Sequence, residues 1–213
     1  MVQKFLYMLL LFFVLQQQAY AQGMPDADIE KPAPDSFLVA FDTSKGSFEA
    51  MVHRRWSPLA ADRFYHLIRV EFFDEISLYR VVKDYVAQFG IHNSADVNDA
   101  WRKLVIDDEP VRKSNAKGFI SFARGGPKTR TTQLFINLKD NVTLNTMTVR
   151  GVRGYPPIAE ITSGMEVIDM FNSAHGNGPA MRQDSINAHG RAYLDRNFPG
   201  LDYIKTVRVI KEY

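Results

Sequence analysis

The chain has 213 residues, enough to bury the core of one domain, and it contains no cysteine, which excludes disulfides and cysteine nucleophiles. Its 26 basic and 24 acidic residues give a formal net charge of +2. That charge provides no broad attraction to nucleic acid or to an anionic membrane, so we expect neither as a partner.

The N-terminus has the pattern of a secretory signal peptide. Lys4 precedes an apolar run at residues 5–15, and Ala19-Tyr20-Ala21 supplies the small residues of a cleavage site. The run is much shorter than the roughly 20 residues that span a bilayer, so we expect cleavage after Ala21; an uncleaved membrane anchor is the alternative. Residues 1–21 therefore predict export to a bacterial periplasm, with full secretion left open and no stable membrane insertion of the mature chain.

The next segments predict a linker and then the start of a folded unit. Residues 22–36 hold three prolines among acidic and small residues, which favours a flexible linker. We expect the folded domain to occupy residues 37–213. Residues 37–41 and 47–52 alternate as strands and form a hairpin through residues 43–46. Ser57 followed by Pro58 predicts a capped helix start, and the helix is expected to run to about Val70.

The remainder of the chain consists mostly of short strand-like runs punctuated by glycine and proline. Strands are predicted at residues 118–123, 133–138, 158–161 and 203–210. Asp107-Asp108-Glu109 is interpreted as a solvated turn. Ser163-Gly164-Met165-Glu166 has the form of a capping box, which predicts a second helix ending near Gly176. Many strands with two helices indicate a β-barrel.

The stretch from Leu78 to Gly90 alternates apolar residues with polar ones, as in a strand pair with one buried face. This stretch, together with residues 121–127 (SFARGGP) and 131–137 (TTQLFIN), resembles the paired active-site segments of the cyclophilins, a family of peptidyl-prolyl cis-trans isomerases. Residues 43–46 (TSKG) and 156–160 (PPIAE) also occur in the family's order, so the resemblance covers the chain from about Phe37 to its end.

This resemblance implies a mainly β fold: a closed eight-stranded antiparallel barrel capped by two α-helices, with substrate on an outer face. It implies an enzyme without metal or other cofactor that acts on X-Pro bonds of unfolded or extended proline-containing polypeptides. We expect a monomer. Residues 177–198 exceed what a minimal family member needs, and a short extra helix is expected at residues 188–196. The five histidines show no ligand pairing, so no metal site is predicted.

An arginine suits the reaction for a physical reason. Amide resonance opposes rotation with a barrier of about 18 to 20 kcal/mol. As the bond twists, the prolyl nitrogen regains a lone pair, which a fixed cation stabilises more than it stabilises the planar amide. By resemblance, Arg80 is the catalytic arginine; the alternative is an arginine in a surface ion pair.

The resemblance also implies a substrate-binding set of three parts: an apolar socket for the proline ring, two glutamines that hydrogen-bond the substrate backbone, and a strand edge that pairs with the peptide. These residues are Tyr85, Val86, Phe135 and Leu144 for the socket, Gln88 and Gln133 for the backbone contacts, and Ala123 and Arg124 for the edge. The alternative reading is barrel core for the socket residues, Val86 above all, and satisfaction of loop amides for the glutamines.

Several positions depart from the family pattern. In the socket, Tyr85 replaces the usual phenylalanine and Val86 the usual methionine. Tyr79 stands where the family has histidine, and Thr143 stands where many members have tryptophan. These changes predict low cyclosporin sensitivity. Two other functions stay open. One is a catalytically weak peptide-binding or chaperone module, and the other is a scaffold subunit that docks a partner through residues 177–198.

Overall fold

The computed structural model describes residues 22–213, so the predicted signal peptide at 1–21 lies outside the described residues. In the described part, the strands are β1 (Ser36–Thr43), β2 (Gly46–His53), β3 (Ile76–Ser77), β4 (Arg80–Val82), β5 (Val86–Phe89), β6 (Phe119–Phe122), β7 (Leu134–Asn137), β8 (Thr148–Val149), β9 (Val152–Arg153), β10 (Pro157–Ser163) and β11 (Tyr203–Glu212). The α-helices are α1 (Pro58–Arg69), α2 (Ala95–Arg102), α3 (Met165–Asp169) and α4 (Gln183–Asn197). Between residues 22 and 213, none of these helices has the length and apolar character of a membrane span.

Nine of these strands form one antiparallel sheet in the order β3-β11-β1-β2-β10-β6-β7-β5-β4, and β8 pairs with β9 separately. The sheet curls strongly, and only Leu78 and Tyr79 separate its two edge strands along the chain. Both of these residues are buried and neither is a turn former, so β3 and β4 do not fold back on each other as a hairpin. The mainly antiparallel β fold is confirmed, with two corrections: the sheet has nine strands, and the barrel is not fully closed.

Aromatic rings fill the concave side of the sheet. β1 alternates burial residue by residue, and Phe41 stacks on Phe48 of β2 with ring centroids 4.4 Å apart. Helix α1 contributes Phe64, which is fully buried 6.3 Å from Phe41. Phe89 of β5 meets Phe41 edge-on at 6.2 Å. The core therefore connects the predicted hairpin to the strand that carries the polar residues of interest.

Helix α1 begins at Pro58 as predicted, but Glu109 supplies its cap. The Glu109 carboxylate accepts from the backbone N–H groups of Leu59 (2.9 Å) and Ala60 (3.2 Å), and Ser57 donates its hydroxyl to the same carboxylate. Arg130 donates to it at 3.1 Å. The Glu109 side chain is only 10% exposed, so the interpretation as a solvated turn is wrong for this residue. The reason is that a helix N-terminus and a buried guanidinium both favour a carboxylate.

The helices differ from the prediction in number and length. Helix α3 has five residues and ends well before Gly176; Ser163 closes β10, and Gly164 occupies the N-cap with φ of 80° and no side-chain cap bond. Gly176 itself is not helical and forms an isolated β-bridge with Val81. Helix α4 includes the short helix expected at 188–196, whereas α2 was not predicted.

Residues 22–36 contact the domain, which corrects the predicted flexible linker. The N–H of Gly23 donates to the carbonyl of Val70 at 2.6 Å, and the Gly23 carbonyl accepts from the indole N–H of Trp101 at 2.6 Å. The N–H of Ala33 donates to the carboxylate of Asp62 at 2.8 Å. The physical reason is that Trp101 is fully buried and its N–H requires an acceptor, which this segment provides.

Candidate active site

Arg80 and Gln88 face each other across the β4–β5 pair. They are direct partners in the register, and this places their side chains on the same face of the sheet. Arg80 donates from Nη1 to Oε1 of Gln88 at 2.9 Å. Its guanidinium also lies 5.6 Å from the ring centroid of Tyr85, within reach of a cation–π contact. The arginine head is therefore contacted by neighbours on its own strand pair and in the turn between the two strands.

A cavity of about 210 Å³ opens beside this arginine. Eight of the nine residues predicted for the site line it, and Gln133 is the exception. The cavity is lined by Arg80, Tyr85, Val86, Gln88, Ala123, Arg124, Phe135, Leu144, Met147, Tyr155, Ala180 and Gln183. The four last-named residues were not predicted.

The apolar part of the cavity is a small cluster separate from the main core. Val86, Phe135 and Leu144 are all buried there, and Tyr155 meets Phe135 edge-on with centroids 5.8 Å apart. Val86 is only 2% exposed, yet it belongs to this cluster and not to the main core of the sheet. The cluster therefore has the apolar character that a proline ring requires. Tyr155 could have been suspected as an aromatic residue beside the family-like stretch at 156–160.

Gln133 lies behind Gln88 and not on the cavity wall. Gln88 donates from Nε2 to Oε1 of Gln133 at 3.1 Å, and Tyr79 donates its hydroxyl to the same oxygen at 2.5 Å. Burial raises the pKa of the Tyr79 phenol above its usual value, which keeps the hydroxyl protonated and able to donate. The tyrosine that replaces the family histidine thus orients a glutamine of the site from inside.

Arg124 holds a loop of the site in place. Its side chain is 1% exposed, and it donates from Nη2 to the carbonyls of Val152 (3.0 Å) and Gly154. Its guanidinium lies 4.7 Å from the ring centroid of Tyr155, and burial lowers its pKa. The backbone N–H of Ala123 is already bonded to the carbonyl of Gln133 at 2.9 Å.

The segment at residues 177–198 reaches the site, which sequence reasoning did not foresee. Asn177 accepts from Nε of Arg80 through Oδ1 at 2.7 Å, and Gln183 accepts from Nε2 of Gln133 through Oε1 at 3.0 Å. Ala180 and Gln183 line the cavity. No motif signals these contacts, because Asn177 lies 97 residues from Arg80 along the chain.

The Arg80 guanidinium beside the apolar part of the cavity is chemically suited to bind an amide and to stabilise it as it twists. The apolar part excludes water from one side of a bound ring, and the guanidinium offers donors that do not depend on proton transfer. Within residues 22–213, no group of three or more His, Cys, Asp or Glu side chains is arranged to hold a metal ion. The curled antiparallel sheet and this cavity define a cyclophilin-like protein.

Comparison with known proteins agrees with this class. The family model of the cyclophilin type peptidyl-prolyl cis-trans isomerase/CLD matches residues 38–190. The chain is 24% identical over 148 residues to a peptidyl-prolyl cis-trans isomerase of Acinetobacter baylyi, covering 69% of this chain and 78% of that protein. It is 26% identical over 150 residues to peptidyl-prolyl cis-trans isomerase B of Escherichia coli, covering 69% of this chain and 91% of that protein.

Solved structures show the same fold. A cyclophilin type isomerase of Cryptosporidium parvum superposes with a TM-score of 0.59 at 15% identity, covering 84% of this chain and 99% of that chain. A cyclophilin of Hirschia baltica superposes with a TM-score of 0.57 at 13% identity, covering 86% and 78%. The chain belongs to the cyclophilin-type peptidyl-prolyl cis-trans isomerase family, and its activity is that of a peptidyl-prolyl cis-trans isomerase.

Proposed function

We propose that the protein isomerises X-Pro bonds at the cavity described above, with Arg80 as the catalytic residue. One observation carries this assignment: a guanidinium oriented by Gln88 stands at the wall of a cavity whose apolar side is formed by Val86, Phe135 and Leu144. The proline ring enters the apolar side, which places the prolyl nitrogen near the guanidinium. The two isomers differ by only about 0.5 to 1 kcal/mol, so lowering the barrier is the whole task.

Arg80 acts on the twisted amide more strongly than on the planar one. In the planar amide the nitrogen lone pair is delocalised, and a donor gains little from it. In the twisted state the lone pair is localised and accepts a hydrogen bond from the guanidinium. No bond of the polypeptide breaks, so neither a nucleophile nor a cofactor takes part.

The walls of the cavity support the substrate backbone. Gln88 retains one N–H and one lone pair beyond its bonds to Arg80 and Gln133, and these can contact a peptide amide. Because the N–H of Ala123 is engaged with the sheet, the strand edge offers its carbonyl and the backbone of Arg124 for pairing. Such backbone contacts accept many sequences around the proline. A structural neighbour from Cryptosporidium parvum was solved in the presence of the dipeptide Ala-Pro, which agrees with a small proline ligand.

The test compares wild type with Arg80→Ala and Arg80→Lys in isomerisation of a proline-containing tetrapeptide. We expect Arg80→Ala to lower kcat/KM by about 100-fold or more, the usual loss when a transition-state donor is removed. Arg80→Lys keeps the charge but loses the planar fork, so we expect only partial recovery. Arg102→Ala is the matched control, since this exposed arginine pairs only with Asp99 on the surface of α2 in the structure described.

A second candidate is a peptide-binding module with poor turnover, favoured by Tyr79 and Thr143 at positions where the family differs. A tetrapeptide that binds wild type without being isomerised faster than in buffer would establish this alternative. Equal kcat/KM in wild type and Arg80→Ala would remove Arg80 from the mechanism.

We also propose that the enzyme is exported and acts, as a monomer, on exported proteins whose folding waits for proline isomerisation. Support comes from the apolar run and small-residue site at the N-terminus. Expression of the full chain in a bacterium should deposit a mature protein in the periplasm whose mass corresponds to a start at Gln22. A cytoplasmic product that retains residues 1–21 contradicts export.

A further inference from the structure

The segment at residues 177–198, here called the site-flanking segment, leaves and rejoins the sheet at neighbouring points. It follows Gly176, which bridges to Val81 of β4. Two residues just before the segment bond to two residues just after it. His175 donates from Nε2 to the carbonyl of Pro199 at 2.9 Å, and Asn172 donates to the carbonyl of Gly200 at 2.7 Å. The segment is therefore an excursion whose two ends are joined by hydrogen bonds.

The site-flanking segment packs on the rest of the domain beside the cavity. Ile186 and Leu194 of α4 are buried in a cluster with Tyr79 and Ile91. Asn93 accepts from the backbone N–H of Arg191 through Oδ1 at 3.1 Å. These contacts position the segment relative to the same tyrosine that bonds Gln133. They favour a role within this chain over the docking of a separate scaffold partner.

A continuous series of hydrogen bonds begins and ends in the site-flanking segment. Arg80 donates from Nε to Asn177 and from Nη1 to Gln88. Gln88 then donates to Gln133, and Gln133 donates to Gln183. Each of the two glutamines in the middle accepts through its oxygen and donates through its nitrogen. The series thus specifies the orientation of the guanidinium and of both amide groups.

The orientation of Arg80 depends on both of its partners. Gln88 holds one end of the guanidinium, and a single contact leaves the planar head free to swing about that end. Asn177 holds Nε, and two contacts on different nitrogens define the plane. The two N–H groups of Nη2 and the second N–H of Nη1 then remain to meet the prolyl nitrogen. Because transition-state stabilisation depends steeply on geometry, a loss of this orientation affects the rate more than it affects binding.

We propose that the site-flanking segment is part of the active site, with Asn177 as a positioning residue for Arg80 and Gln183 as a positioning residue for Gln133. This inference rests on the proposed function of Arg80. The added segment then has a role in catalysis, because Asn177 and Gln183 supply the acceptors at the two ends of the hydrogen-bond series through Arg80, Gln88 and Gln133.

The test measures kcat and KM separately for Asn177→Leu and Asn177→Asp with the tetrapeptide substrate. Leucine has a similar size and no acceptor, so we expect kcat to fall about tenfold with KM changed less than about twofold. Aspartate keeps an acceptor oxygen in the same place, so kcat should stay within about threefold of wild type. Asn197→Leu is the matched control: this exposed asparagine lies in the same segment and donates to the carbonyl of Tyr193.

A second measurement reports on the contact itself and does not require turnover. In NMR spectra, the Nε–Hε signal of Arg80 should exchange slowly with water in wild type and rapidly in Asn177→Leu, while the melting temperatures of the two proteins stay close. Wild-type kcat in Asn177→Leu, or Nε–Hε exchange that the substitution leaves unchanged, overturns the inference. A wild type that accelerates no isomerisation refutes the proposed function instead, and the Nε–Hε signal then decides alone whether Asn177 positions Arg80.

Discussion

Four arginines of this protein differ in the groups to which they donate, so residue type alone does not assign their roles. Arg63, Arg124 and Arg130 each donate to backbone carbonyls, and the side chains of all three are largely buried. Arg80 instead bonds two side-chain amides at a cavity wall. The resemblance named Arg80 and Gln88 as site residues, which are register partners in the β4–β5 pair. It did not indicate that the side chain of Arg124 turns inward to support the loop of Tyr155, because such contacts depend on strands distant in the chain.

His92 is a residue whose protonation opposes folding. Its Nδ1 accepts from the N–H of Ser94 at 3.0 Å, its ring lies 5.3 Å from that of Phe72, and burial lowers its pKa to about 4. In the unfolded chain a histidine titrates near pH 6.5. The two states are equally deprotonated above that pH, and below it the unfolded chain binds the proton first. The folded state therefore loses relative stability as pH falls from about 6.5 to about 4.

We predict that the free energy of unfolding falls by up to about 3 kcal/mol over this pH interval through His92. Chemical denaturation at pH 7, 6, 5 and 4 measures it. His92→Gln should give a shallower pH profile, because glutamine keeps an acceptor and has no proton to gain. His189→Gln, at an exposed position on α4, serves as the control and should follow wild type. A profile for His92→Gln as steep as that of wild type would contradict the assignment.

At the scale of elements, the sequence predicted correctly those strands and helices that depend on residues close together in the chain. It did not predict those that depend on contacts between distant residues. The hairpin β1–β2, the helix α1 and the pair β4–β5 lie where the sequence predicts them. Helix α2 was missed; it has only eight residues, and its N-cap residue Ser94 makes no side-chain bond. Its stability comes from long-range packing of Trp101, whose ring meets His66 and Phe72. Helix α3 was predicted too long: it begins only at Met165, because Ser163 belongs to β10, and it ends at Asp169.

Helix α4 contains a kink that only glycine accommodates. Gly190 has φ of 54° and ψ of −143°, and an added Cβ would lie 2.5 Å from the carbonyl oxygen of Asn93. A larger residue meets both a strained backbone and a rigid neighbour. The close approach of α4 to the loop at Asn93 thus depends on this one residue.

We predict that Gly190→Ala destabilises the protein by about 1 to 3 kcal/mol and increases hydrogen exchange along α4. Thermal denaturation and hydrogen-exchange mass spectrometry measure the two effects. Gly125→Ala is the matched control, since no atom lies within 4 Å of an added Cβ there and its φ is ordinary. If both substitutions leave the melting temperature unchanged, the close approach of α4 to the loop at Asn93 does not depend on Gly190.

At the scale of the whole molecule, two segments outside the sheet supply hydrogen-bond partners to residues of the domain. Residues 22–36 satisfy the buried N–H of Trp101, and residues 177–198 reach the two ends of the polar series at the site. The composition of residues 22–36 does not mark them as structured, and within residues 177–198 the sequence indicated only the short helix at 188–196. Each is ordered through contacts with residues far away along the chain, so their roles follow from placement and not from local pattern.

The sequence by itself determined the strand periodicity, the start of α1, the family and eight of the cavity residues, because each of these depends on neighbours within a short stretch or on motifs in order. Only the tertiary structure decided the nine-strand order, the incomplete closure, the cap by Glu109 and the contact of Asn177 with Arg80. Those features join residues tens of positions apart, 97 for the last pair. Their geometry exists only once the sheet has curled and brought its distant segments together.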